Sequence, residues 1–394
     1  MTGGDFQSPS YLHSLQSQAG AQTGKIIGTI NDYKRDVHLD ESVFEKKYAR
    51  EYIDSNWKIL THCYLVNSGM AAFTTILTYL MTEGKLSGDI LLGKSSYFQY
   101  KQILSKIFLK NIIEFSESDN RRISTLIEKK HPKAIFVDSL CNSKQIPVVN
   151  LKFLMDCLNH YAKSEVYLIV DNTCLSVFFQ PFNILLRNQK VRVITFDSLN
   201  KYAQFGLDRV TAGIVTAMWK DGHKIFEYRK HAGTNISDAS VYAIPLPDRK
   251  LLERRLLRHQ RNAVFLCSYL QNNIDSKTNT PIDEIIYPKL ATHEGFFWTK
   301  DMKFTGSFLN LKFRKNLENK KQYQRFVKLA IHQAKKNKVD LIAGTSFGLN
   351  TSRIYLTSLW TDYGDPFIRI SAGTEDFISI NKLARVLEET INRF

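Results

Sequence analysis

What the 394-residue chain lacks narrows it first. No apolar run reaches the roughly 18 residues that a membrane-crossing helix needs, so no membrane partner is expected. Residues 1–24 are rich in Gly, Ser and Gln and hold no apolar stretch, which argues against a secretory signal. Cysteine is scarce: Cys63, Cys141, Cys157, Cys174 and Cys267 form no CxxC pair. An odd, scattered set in mostly apolar surroundings predicts free thiols, a reducing compartment such as the cytoplasm, and no metal site. Acidic residues are also few, 38 against 54 Lys and Arg, for a formal net charge of +16. That excess raises nucleic acid as a partner. The cations are spread along the chain, however, and no Arg-rich tail, zinc-finger spacing or aromatic–basic ribonucleoprotein motif is present. Their densest runs, 249–261 and 312–338, read as polar faces of helices. A basic solvated surface or the steering of an anionic ligand is the favoured account.

What is present is an alternation of apolar runs and amphipathic stretches, long enough for two domains. The pattern predicts a helix over 70–81 after an apolar run at 60–66. Strands follow at 89–93, 112–115, 134–140, 166–170, 191–196 and 210–217, with helices at 97–109, 121–130 and 151–162 between the earlier ones. Continuous apolar strands between helices argue for a parallel sheet covered on both faces. A long helix over 248–273 leads into a C-terminal region with a strand at 306–313, a helix at 320–336 and an alternating strand near 367–373. The last helix is expected to begin at Thr374, with Thr374-Glu375-Asp376 as its cap and acidic first turn. The domains expected are an N-terminal arm at 1–57, a large domain at 58–246 and a smaller one at 247–394.

Ligands of parallel sheets sit at the carboxyl ends of strands, and polar residues collect there: Asn142, Asp171, Ser198 and Lys201. Lys201 follows a buried strand. By itself such a lysine is more often a side chain reaching water; held in a cleft it would form a Schiff base. Ser68-Gly69-Met70 opens a helix and offers free N–H groups to an anion. Tyr97 starts another helix and is placed to stack on a ring. Arg369 stands on an alternating strand, as a carboxylate clamp or a structural ion pair. Lysine, aspartate, phosphate cradle, stacking aromatic and arginine together make the parts of a pyridoxal-phosphate enzyme.

In order and spacing these residues resemble the Cys/Met-metabolism pyridoxal-phosphate enzymes, the group of cystathionine γ-synthase, cystathionine and methionine lyases and O-acyl-homoserine sulfhydrylases. Ser68-Gly69-Met70-Ala71-Ala72 is similar to the family's SGMxA, Asp171-Asn172-Thr173 to its DNT, and Ser198-Leu199-Asn200-Lys201-Tyr202 to its SxTKY. Arg258-His259-Gln260-Arg261-Asn262-Ala263, Ser346-Phe347-Gly348 and Arg369-Ile370-Ser371-Ala372-Gly373-Thr374-Glu375-Asp376 resemble three further motifs. The resemblance implies a type I pyridoxal-phosphate-dependent transferase fold, α/β with a mostly parallel central sheet and a smaller α/β C-terminal domain. It implies pyridoxal 5'-phosphate held by Ser68, Gly69, Met70, Tyr97, Asn142, Asp171, Ser198, Asn200 and Lys201. Lys201 and Tyr97 would be catalytic, and Arg369 and Ser346 would hold the carboxylate of an amino-acid substrate. Tyr48 and Arg50 resemble a Tyr-x-Arg pair that reaches the neighbouring subunit's cofactor, which implies a homo-oligomer, a dimer of dimers.

The departures lie elsewhere. The Asn-Pro-Thr expected after Tyr-x-Arg is missing, Gln99 stands where lyases carry cysteine, Asn200 replaces threonine, and Ala203-Gln204-Phe205-Gly206 replaces the stretch after the lysine. The activity expected is elimination or replacement of a γ or β substituent on an amino acid, cystathionine γ-synthase-like. The alternatives are a silent or regulatory relative, which would often lose Lys201, and a basic anion- or nucleic-acid-binding protein.

Overall fold

The computed structural model describes residues 39–54, 60–185, 190–275, 280–357 and 366–394. The chain opens with α1 (Leu39–Tyr52), β1 (Thr61–Val66), α2 (Gly69–Thr82), β2 (Ile90–Gly93), α3 (Phe98–Ile107), β3 (Ile112–Phe115) and α4 (Asn120–Lys130). It continues through β4 (Ala134–Asp138), α5 (Leu151–Tyr161), β5 (Val166–Asp171), β6 (Val191–Ser198), β7 (Gly213–Met218) and α6 (Trp219–His231). The seven strands form one sheet in the order β1-β7-β6-β5-β4-β2-β3. From β3 to β6 all neighbours are parallel. β2, β4 and the apolar part of β5 are buried at every position, because helices cover both faces. β7 runs against both its neighbours. The expectation of one more parallel strand there is corrected: composition marks a buried strand but not its direction.

The edge strand β1 is closed by side chains. Leu65 N–H donates to Glu45 Oε1 at 2.8 Å, and Leu65 C=O accepts from Arg229 Nη1 at 3.0 Å. Arg229 also pairs with Glu41 at 2.9 Å and Glu45 at 2.7 Å. This fixes α1 on the sheet and removes an exposed edge that would otherwise recruit another chain. α1 lies in a stretch whose charge hides its apolar stripe, Phe44, Tyr48 and Tyr52, which is buried at four-residue spacing.

The 27-residue α7 (Arg249–Asp275) joins the two cores. Leu252 and Leu256 bury into the large-sheet core, while Ala263, Leu266, Cys267 and Leu270 bury into the second. Each fully buried leucine contributes roughly 2 kcal/mol, so the helix ties the two units firmly. The second sheet contains β8 (Ile282–Ile286), β9 (Phe308–Phe313), β10 (Ile342–Ala343), β11 (Arg353–Leu356) and β12 (Ile368–Ser371), in the order β10-β11-β12-β9-β8. α8 (Lys320–Lys336) and α9 (Phe377–Arg393) pack on it. The cap of α9 is Asp376, whose side chain accepts the Ser379 N–H at 2.8 Å. Thr374, the cap expected from sequence, sits before the helix with its N–H on Asn350 O at 2.8 Å. Asn350 takes Thr374 into the preceding turn, so helical geometry begins later.

Candidate active site

Strands β4, β5 and β6 end side by side in Asp138, Asp171 and Ser198, with Asp138 opposite Asp171 in register. A cavity of about 470 Å³ opens over these ends. It is lined by Ser68, Gly69, Met70, Tyr97, Asn142, Asp171, Ser198, Asn200, Lys201, Ser346 and Arg369, all singled out in the sequence. It is also lined by Gln99, Asp138, Thr173, Cys174, Phe196, Thr211, Thr345 and Phe347.

One wall is an anion cradle. Ser68 caps α2, its Oγ accepting the Ala71 N–H at 3.0 Å. Gly69 must be glycine, since a Cβ would lie 2.8 Å from Ser198 Cβ. A Cβ on Gly213 would lie 2.2 Å from Ser68 O, so β7 also presses against this turn. The backbone thus closes around the helix N-terminus, where partner-less N–H groups and the helix dipole favour negative charge. Ser198 N–H donates to Thr173 Oγ1 at 2.8 Å. Asn200 Oδ1 accepts the Ala212 N–H at 3.0 Å, which leaves its amide to serve the cavity as a donor.

On the floor, Asp171 Oδ1 accepts the Thr173 N–H at 2.9 Å. Burial raises its carboxyl above the ordinary range, against the opposing pull of Thr173 and Lys201. Lys201 Nζ donates to Ser346 Oγ at 3.0 Å and lies 5.6 Å from the Phe347 ring. Burial, then the Arg369 charge, lowers its ammonium from the ordinary lysine value. The loop behind Lys201 is stapled by the fully buried Gln204, whose amide bonds Leu199 O, Val210 O, Arg209 N and Val210 N.

The C-terminal unit supplies the opposite wall. Arg369 is 3% exposed, yet its partners are neutral: Asn142 Oδ1 on Nη1 and Thr345 Oγ1 on Nη2 at 3.2 Å. Among the described residues its Nε has no hydrogen-bond partner and it forms no ion pair. Burial lowers it to about 10. The arginines of α7 brace the turn after β12. Arg258 Nε, Arg261 Nη2 and Asn262 Nδ2 all donate to Glu375 O. His259 Nδ1 meets Ala372 O at 2.7 Å. This part of the basic run is therefore structural rather than a nucleic-acid face.

Tyr48 and Arg50 do not join the cavity. Tyr48 is 6% exposed and its hydroxyl donates to Asp197 Oδ2 at 3.4 Å within its own chain. Arg50 is exposed and lies 3.2 Å from Glu51. The reason is helical periodicity: Tyr48 falls on the apolar stripe of α1 and Arg50 on its solvent side. The chain holds another Tyr-x-Arg upstream, Tyr33-Lys34-Arg35, outside the described residues. Asp138 closes a strand that the sequence marks, four residues before Asn142, and that strand-end position is the signal for it; Thr345 is placed by tertiary approach rather than by a motif.

A family model described as Cys/Met metabolism PLP-dependent enzyme matches residues 6–384. The bifunctional enzyme flvA of Aspergillus flavus is 23% identical over 332 residues, 84% of this chain and 39% of that protein. Cystathionine gamma-lyase of Rattus norvegicus is 25% identical over 244 residues, 59% of this chain and 54% of the lyase. The chain thus spans about two-fifths to half the length of these curated relatives. The crystal structure of metB from Corynebacterium glutamicum superposes with a TM-score of 0.75 at 20% identity, covering 98% of this chain and 93% of that one. That likeness fixes the fold, the one expected from the resemblance.

Proposed function

The chain belongs to the Cys/Met metabolism PLP-dependent enzymes, and we propose that it eliminates or replaces a γ (or β) substituent on an amino acid, in the manner of cystathionine γ-synthase. One observation carries this reading. A buried, uncompensated Arg369 and a lysine depressed by burial share one cavity. A buried cation without an anion is costly, so the site is completed by a carboxylate that arrives with the substrate.

The donor set suits pyridoxal phosphate. The cradle of Gly69, Met70, Ser198 and Asn200 would take the phosphate, Asp171 the ring nitrogen, and Tyr97 the ring face. Bound there, the cofactor would supply an electron sink next to the substrate Cα. The protein's own part is positioning and proton transfer. Arg369 and Ser346 orient the substrate carboxylate. Lys201 Nζ takes and returns the proton at Cα, a task suited to a lysine whose basicity is lowered. The Tyr97 hydroxyl stays protonated, because burial and the Asp171 charge raise it, so it serves as a proton donor to the departing group. The retained Lys201, inside the cavity, speaks against a silent relative.

Among the described residues no helix is long and apolar enough to cross a membrane. All five cysteines are free and buried, which supports a reducing compartment such as the cytoplasm. A dimer of dimers rests on the family resemblance, and light scattering of the purified protein tests it. For the activity, the loaded protein should show the visible band of bound cofactor and lose it in Lys201→Ala. Supplied with O-acyl-homoserine, cystathionine, methionine or cysteine, it should release a 2-oxo acid or form a thioether. No band after cofactor addition refutes the reading.

A further inference from the structure

The cavity contains a buried carboxyl that the reading above leaves without a task. Asp138 ends β4, is 4% exposed and lines the cavity. Both of its oxygens serve one element. Oδ2 accepts the Tyr97 N–H at 3.1 Å, and Oδ1 accepts the Tyr100 hydroxyl. α3 needs this help, because Tyr97 is its N-cap and makes no side-chain cap of its own, while the first N–H groups of a helix have no intrahelical partners. Just upstream, the buried Glu117 holds the loop in the same way, accepting the Ser95 N–H at 2.8 Å. Two buried acids therefore grip, from behind, the segment that presents the Tyr97 ring.

We propose that Asp138 is the positioning residue for Tyr97: it anchors the first turn of α3 as a neutral acid, and leaves Asp171 the sole negative charge of the pair. The proposal rests on the cofactor reading above. Two carboxyls at the ends of adjacent strands repel when both are ionised. The groups facing Asp138 are Asp171 from β5, Tyr97 and Tyr100 from α3, Glu117 after β3, and Cys141 and Cys174 in the loops beyond β4 and β5. No cation is among them. Asp171 faces Lys201 and accepts the Thr173 N–H. The charge accordingly settles on Asp171 and the proton on Asp138, whose carboxyl burial and then Asp171 raise against the opposing hydrogen bonds from the Tyr100 hydroxyl and the Tyr97 N–H. A neutral anchor also keeps a second negative charge away from the ring that Tyr97 covers.

The test uses the full chain loaded with pyridoxal phosphate. It reads the cofactor dissociation constant, the pH midpoint of the visible band, and the circular dichroism of that band at full occupancy. Asp138→Ala should weaken the cofactor about tenfold, the scale of one lost buried hydrogen bond, and should reduce the dichroism as the ring loses its fixed neighbour. Asp138→Asn keeps an acceptor for the Tyr97 N–H and carries no charge. It should restore the dichroism and leave the midpoint in place, a rescue that general loss of stability would not give. If the alanine variant does not fold, Asp138→Ser serves the same comparison. Unchanged dichroism in the alanine or serine variant overturns the anchor. A midpoint lowered by a unit in the asparagine variant overturns the neutral state. A parent protein that shows no band overturns the cofactor reading itself, before Asp138 is in question.

Discussion

Lys201 Nζ lies 3.0 Å from Ser346 Oγ, and Ser346 holds a φ of +77° to meet it. A non-glycine residue in the left-handed region costs about 1 kcal/mol or more, so the contact is imposed by its surroundings. Gly348, two residues on, is equally constrained: at φ +83°, a Cβ there would lie 2.8 Å from the Lys201 carbonyl. The loop after β10 and the loop after β6 are thus fitted backbone to backbone, and the lysine is placed from the C-terminal unit.

Ser346→Ala should lower kcat/KM about 10- to 100-fold, the value of one hydrogen bond to a charged group, while leaving the cofactor band. Ser346→Gly should lose the same bond but relieve the backbone. Thermal unfolding should therefore rank glycine at or above the parent and alanine below it. Equal melting of the two variants would refute the strain.

Arg369→Lys keeps the charge and loses the fork. Asn142 and Thr345 use the two ends of the guanidinium, and an ammonium cannot span them. KM for an amino-acid substrate should rise about 10- to 100-fold, matching 1.5–3 kcal/mol for a charged hydrogen bond, with kcat less affected and the cofactor band intact. Steady-state kinetics beside a spectrum decide it. A lost band with an unchanged KM would assign Arg369 to the cofactor.

The centre of the large sheet was legible because strands such as β2 and β4 are covered on both faces and read as apolar runs, 134–137 for example. Asp171, Ser198 and Lys201 were legible for a related reason: strand ends carry their polar residues next to those runs. The short strand Arg353–Leu356 gave no comparable signal, and α1 hid its stripe among charges. The partners of Arg369 were beyond reach, since Asn142 and Thr345 come from loops on two different sheets. Tyr48, singled out by its motif, falls on the buried face of α1 within its own chain, because helix period and not motif decides which face a residue takes.

That placement has a measurable consequence. Arg50→Ala should leave cofactor affinity unchanged, because Arg50 points to solvent beside Glu51. Tyr48→Phe should cost about 1 kcal/mol of stability or less, since the lost bond to Asp197 is long at 3.4 Å. Equilibrium dialysis of the cofactor and urea unfolding separate the two quantities. A tenfold loss of cofactor affinity in Arg50→Ala would return Arg50 to a neighbouring subunit's site.

Acid should loosen the seam that holds Arg369. His259 is 1% exposed, its Nδ1–H donates to Ala372 O at 2.7 Å, and its ring meets Tyr202, the neighbour of Lys201, at 5.8 Å. Burial, reinforced by Arg255 and Arg258, lowers it from 6.5 to about 4. The unfolded chain therefore binds a proton below about pH 6.5 that the folded chain refuses until about pH 4. Stability attributable to this histidine is full above pH 6.5 and falls by about 1.4 kcal/mol per unit below it, roughly 3 kcal/mol in all by pH 4. His259→Gln keeps a donor for Ala372 O and has no proton to gain. Urea unfolding at pH 7 and at pH 4.5 should show the parent losing more stability than the variant by about 2 kcal/mol. Parallel losses would mean that other groups govern the acid limb.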